Sequence, residues 1–108
     1  MTRQRHHPRR LDFAGIATAA RPFLPDLAAR WLPDGHRCGV EWKARNPRRD
    51  DRRPGSFSIN LHNGRWADFA TGDKGGDVVS LAAYLFSMSQ GEAARAVAGM
   101  IGVEVHHG

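Results

Sequence analysis

Asn63-Gly64 separates Ser56-Phe57-Ser58-Ile59-Asn60-Leu61-His62, in which apolar side chains alternate with polar ones, from Arg65-Trp66-Ala67-Asp68-Phe69. Alternation of period two is the mark of a half-buried strand. Asn and Gly tolerate the positive φ that a two-residue type I′ turn demands, so this segment predicts a β-hairpin. A two-residue loop would pair His62 with Arg65, Leu61 with Trp66, Asn60 with Ala67 and Ile59 with Asp68. Paired side chains share a face, which makes Phe57, Ile59, Leu61 and Trp66 the inner face of the sheet.

The flanking sequence predicts helices on both sides. From Leu11 to Trp31 apolar residues recur at helical spacing, interrupted by Pro22 and Pro25, which implies two short helices. Leu32-Pro33-Asp34-Gly35 is a turn by its Pro and Gly content. His36 to Ala44 is expected as one strand, with Val40 and Trp42 on one face and Glu41 and Lys43 on the other. Asn46 to Gly55 is a polar loop. After the glycine-rich Thr71 to Asp77, the run Val78 to Met88 has helical periodicity with Asp77 placed as N-cap. Ser89-Gln90-Gly91-Glu92 has the spacing of a capping box and opens a second helix through about Ile101, with Gly102 as its stop. The expected architecture is α+β: a small antiparallel sheet, two C-terminal helices and short N-terminal helices. A single domain spans 11–104, residues 1–10 form a disordered basic tail and 105–108 a short C-terminal tail.

Composition narrows the function. At 108 residues, 41% hydrophobic and 25% charged, the chain has the material for one ordinary globular domain. Its single cysteine, Cys38, excludes an intramolecular disulfide framework and any cysteine-rich zinc site, as expected of a cytoplasmic protein. No apolar run approaches the roughly 18 to 20 residues of a membrane span, and MTRQRHHPRR lacks the apolar region of a signal peptide. The formal net charge is +5, and 13 of the 16 basic residues lie in residues 1–53. A polyanionic partner follows, with nucleic acid first among them. Arginine outnumbers lysine 14 to 2, which suits bidentate phosphate contacts, although a GC-rich genome produces the same bias through its codons.

No residue pattern brings catalytic groups together. His6, His7, His36, His62, His106 and His107 lack zinc-protease spacing. Asp68, Asp73 and Asp77 flank the glycine-rich turn, either as hard ligands for a divalent cation in a small nuclease or as turn and cap residues. Thr71 to Asp77 lacks the spacing of a phosphate-binding loop, and its aspartates repel phosphate. The chain is therefore expected not to be an enzyme and to need no cofactor. The densest basic feature is the loop carrying Arg48, Arg49, Arg52 and Arg53, partly offset by Asp50 and Asp51, beside strands bearing Trp42 and Trp66. Arginines neutralise phosphates and exposed rings stack on bases. The candidate nucleic-acid contacts are these four arginines with Lys43, Arg45 and Arg65, while the tryptophans either stack on bases or fill the core.

The order of parts is similar to the N-terminal zinc-ribbon domain of bacterial, phage and plasmid DNA primases, which reads C-P-x-H, T-P-S-F-x-V, a hairpin into C-x-x-C-G, then G-D and a helix. The resemblance covers residues 38–102 and is sharpest at Pro54-Gly55-Ser56-Phe57-Ser58-Ile59, Trp66-Ala67-Asp68-Phe69 and Gly75-Gly76-Asp77-Val78-Val79. It puts Asn46 and Arg49 where the family has its first Cys and its His, and approximately Asp68 and Thr71 where it has the C-x-x-C pair. The resemblance thus implies a zinc-free version in which packing replaces the metal. It also implies a module that engages DNA, single-stranded or duplex, in plasmid or phage replication, alongside a primase or helicase subunit. The alternative is a protein-interaction module that docks such a replication partner.

Overall fold

In the computed structural model, residues 11–48 and 56–104 are described. The expectations for the two tails, and for Arg49, Arg52 and Arg53, lie outside them. The element order is α1 (Phe13–Ala20), a 3-10 turn (Arg21–Phe23), α2 (Leu24–Trp31), β1 (His36–Cys38), β2 (Glu41–Ala44), β3 (Phe57–Asn60), β4 (Trp66–Asp68), β5 (Lys74–Gly75), α3 (Val78–Phe86) and α4 (Gln90–Ile101). The five strands form one antiparallel sheet in sequence order, β1-β2-β3-β4-β5. The α+β class expected from the sequence is the one observed.

Both C-terminal helices begin where their caps are written. The Asp77 side chain accepts from the Ser80 amide at 2.9 Å. Ser89 accepts from the Glu92 amide at 3.1 Å while Glu92 accepts from the Ser89 amide at 2.8 Å. Gly102, at φ 74°, ends α4. At the other end, Pro22 sits in the first turn of a 3-10 segment that joins α1 to α2, because a proline there removes no helical hydrogen bond.

Two details of the sheet differ from expectation. His36 to Ala44 is a hairpin and not one strand: the chain reverses at Gly39-Val40, with Gly39 at φ 63° supplying the left-handed conformation the reversal needs. Val40 therefore lies in the turn, 44% exposed, and Trp42 faces the core without it. In the second hairpin the pairs are Phe57 with Asp68, Ser58 with Ala67 and Ile59 with Trp66, a slip of two residues from the two-residue loop. The physical cause is Asn60. Its side chain accepts from the His62 and Asn63 amides at 2.8 and 3.1 Å, which stabilises a wider turn. Gly64 alone of the Asn63-Gly64 pair takes positive φ. A slip of two leaves every side chain on its face, so Phe57, Ile59, Leu61 and Trp66 are all buried as expected.

Helix α3 lies across that inner face. The rings of Phe57, Trp66 and Tyr84 stack with centroids 4.5–6.1 Å apart, and the Trp66 indole donates to Ser80 Oγ at 2.9 Å. Val78, Val79, Leu81 and Ala82 of α3 and Ala93, Ala94, Val97 and Ala98 of α4 join Ile16, Leu24 and Leu27 in one core. Helix α1 packs on both α3 and α4. Among the described residues, all the helices therefore lie on this side, and none covers the opposite face of the sheet. Among the described residues no helix is long and apolar enough to cross a membrane.

Candidate nucleic-acid interface

Strand alternation fixes which side chains the uncovered face presents. Glu41 and Lys43 of β2 stand opposite Asn60 and Ser58 of β3, Ser58 stands opposite Ala67 of β4, and Ala67 opposite Lys74 of β5. The small side chains of Ser58 and Ala67 leave a groove of about 660 Å³, lined also by Glu41, Asn60, Arg65, Phe69 and Lys74. Phe69 follows β4 and is held there by its amide, which donates to the Ser56 carbonyl at 2.8 Å. Its ring is 72% exposed, more than any other large apolar side chain described. The Lys43 ammonium lies 5.9 Å from the ring centroid, within the range of a cation–π contact.

One carboxylate sits among these cations. Glu41 Oε1 takes a salt bridge from Lys43 Nζ at 2.8 Å and a hydrogen bond from Ser58 Oγ at 2.5 Å. Those two donors, Lys43 first, hold the Glu41 carboxyl below the usual carboxylate range. Arg65 and Lys74 make no salt bridge among the described residues, so their charges face solvent along the groove.

Of the seven residues expected to bind nucleic acid, the structure brings Lys43 and Arg65 to this face. Arg45 points elsewhere, to Asp34 at 3.2 Å, in a second cavity beside Trp31. Arg48 reaches back to the helices: its guanidinium donates to the Tyr84 carbonyl at 2.7 Å and to Ser87 Oγ at 3.1 Å, and lies 5.1 Å from the Tyr84 ring. Arg49, Arg52 and Arg53 are outside the described residues. Trp66 is buried, and Trp42 is packed against the core with its indole donating to the Leu32 carbonyl at 3.1 Å. Both tryptophans are core residues, so the aromatic of this face is Phe69. Phe69, Lys74 and Glu41 join the site without having been among the candidate contacts. Phe69 was recoverable, because it is in phase with Ala67 and hence on the face opposite Trp66.

The three aspartates have separate duties. Asp77 caps α3, Asp73 accepts from the Tyr84 hydroxyl at 2.8 Å, and Asp68 accepts from Asn46 Nδ2 at 2.7 Å. Among the described residues no three His, Cys, Asp or Glu side chains are grouped to hold a metal ion. Asn46 and Asp68, two of the described positions that the resemblance matches to zinc ligands, Asp68 only approximately, are fully buried and bonded to each other. Asn46 Nδ2 also donates to the Tyr84 hydroxyl at 2.8 Å, and Asn46 Oδ1 accepts from the Arg48 amide at 2.8 Å. Thr71, the third such position, accepts from the Asp73 amide through its hydroxyl. Burial first, then the neighbouring Asp73, pushes the Tyr84 hydroxyl above its ordinary value.

No protein-family model matches the chain, and no curated protein matches it in sequence. Among solved structures it is similar to a crystal structure of the Aquifex aeolicus primase comprising zinc-binding and RNA polymerase domains. The TM-score is 0.73 at 20% identity, over 89% of this chain and 23% of that one. The likeness shows a shared fold, and this chain spans less than a quarter of the length of the primase it matches.

Proposed function

We propose that the chain is a non-catalytic nucleic-acid-binding module of primase type, which lays a single-stranded DNA template across the uncovered face of its sheet during plasmid or phage replication. The observation that carries this reading is Phe69, an exposed ring bounded by Lys43, Arg65 and Lys74 over a floor of small side chains. An unpaired base offers a π face to such a ring while the flanking phosphates meet the cations. In a duplex the base faces are already stacked on one another, so the ring favours single strands. The fold shared with a primase supports a template strand as the ligand, and the loop arginines Arg49, Arg52 and Arg53 add positive charge nearby in sequence. Polymerisation would belong to a separate primase or helicase subunit in the cytoplasm.

Titration of fluorescent single-stranded and duplex DNA over a range of salt tests the reading. Single strands should bind more tightly, with log affinity falling against log salt at a slope of roughly 1.4 from the two cations free of salt bridges among the described residues, Arg65 and Lys74, at about 0.7 each. Absence of binding at low salt would leave the docking of a replication primase or helicase as the function. Magnesium-dependent cleavage would make the chain a nuclease.

A further inference from the structure

We infer that Glu41 selects the base bound in the groove, accepting bases that carry an amino group on their Watson–Crick edge and rejecting thymine, an inference that rests on the single-strand reading above. Glu41 lines the same groove as Phe69, Arg65 and Lys74. Its orientation is set by the two donors on Oε1, Lys43 Nζ and Ser58 Oγ, while Oε2 has no protein partner among the described residues. The salt bridge to Lys43 and the depressed carboxyl keep the group ionised at neutral pH.

An ionised carboxylate is a pure acceptor and repels phosphate. A strand whose phosphates follow Arg65 and Lys74 must therefore turn something other than its backbone toward Oε2. The remaining donors of single-stranded DNA are base N–H groups. Cytosine presents its N4 amine, adenine its N6 amine, and guanine N1–H beside its N2 amine. Thymine presents a single N3–H flanked by the O2 and O4 carbonyls, both of which face a carboxylate with like partial charge. Polar groups that are matched by one base and opposed by another discriminate between bases, which stacking on a ring does not.

The test compares oligo-dC and oligo-dT of about ten nucleotides, two single-ring pyrimidines that differ at the edge Glu41 would read. At neutral pH the protein should bind oligo-dC about fivefold or more tightly than oligo-dT. Glu41→Gln keeps the side chain's length but adds an amide donor that suits a thymine carbonyl, so the ratio should collapse to within about twofold while both affinities hold or rise. Ser58→Ala leaves the charge in place and loosens the carboxylate. It provides a second variant in which the ratio should fall toward one, should Glu41→Gln not fold. Equal affinity of the unaltered protein for the two oligonucleotides overturns the inference and leaves the single-strand reading standing, as does a ratio that Glu41→Gln leaves unchanged. Failure to bind either oligonucleotide overturns the single-strand reading itself.

Discussion

The side chains of Asn46 and Asp68 meet at 2.7 Å although 22 residues separate them in the chain, and neither is exposed to solvent. The bond ties the segment after β2 to the end of β4, where the resemblance to primase zinc ribbons would have cysteines. Asn46 is well used: both amide hydrogens and the carbonyl oxygen have partners, in Asp68, Tyr84 and the Arg48 amide. A buried network satisfied in this way specifies one arrangement of the loop and the sheet.

Asn46→Ala removes one of the buried donors to Asp68 together with the donor to the Tyr84 hydroxyl. Such losses cost about 2–4 kcal/mol. Urea unfolding of the variant should show that loss, and a change under about 1 kcal/mol would mean that the network is not a principal support of the fold.

Tyr84 is the chain's only tyrosine, so its phenolate absorbance reports one site. Its folded-state pKa is raised above the ordinary value of 10.0. Between the unfolded and folded values the native state holds the proton that the unfolded state has lost. Stability from this group is therefore complete below about pH 10 and is lost as pH rises through the folded value. Tyr84→Phe should lack this alkaline decline when unfolding free energy is followed against pH, and a parallel decline in both proteins would assign it to other groups.

Phe69 and Trp66 are three residues apart and face opposite sides of the sheet. Trp66→Ala empties a core position stacked on Phe57 and Tyr84 and should cost about 3–5 kcal/mol. Phe69→Ala should change stability by no more than about 0.5 kcal/mol and weaken single-strand binding by about 1–3 kcal/mol. Thermal unfolding and anisotropy titration on the same two variants separate the roles, and normal binding by Phe69→Ala removes the ring from the site.

Replacing Arg65 and Lys74 together by alanine should flatten the salt dependence of binding by between about one and two units of slope. Arg48→Ala should leave that slope unchanged and lower stability by about 1 kcal/mol, because its guanidinium is held by Tyr84 and Ser87. A reversed result would move the phosphate contacts to the Arg48 end of the molecule.

Local signals in the sequence carried far. The caps at Asp77 and Ser89, the interruption at Pro22 and the inner-face residues Phe57, Ile59, Leu61 and Trp66 are encoded by nearest neighbours, and each was legible, whereas Pro25 lies within the first turn of α2. The hairpin register was not, because the deciding bonds come from the Asn60 side chain and from the Leu61 amide donating to the Val40 carbonyl at 2.7 Å, a contact with another hairpin. The turn at Gly39-Val40 was hidden by the apolar alternation on either side of it. Charge density drew attention to Arg45 and Arg48, yet density along a chain does not say where a guanidinium is directed, and both turn to partners within the protein. Lys74 and Glu41 reach the groove only through the pairing of β4 with β5 and β2 with β3.

The strand order that follows the chain has a consequence for how the molecule assembles. Every ladder joins sequence neighbours, so the sheet closes one hairpin at a time with little loop entropy to overcome. The docking of α1 is different, since its partners α3 and α4 lie far along the chain, and contacts of such sequence separation are expected to form after the local ones. Ile16, fully buried on α1, belongs to that late step. Ile16→Val should then speed unfolding and leave the refolding rate nearly unchanged in stopped-flow measurements, and slowed refolding would place α1 in the folding nucleus instead.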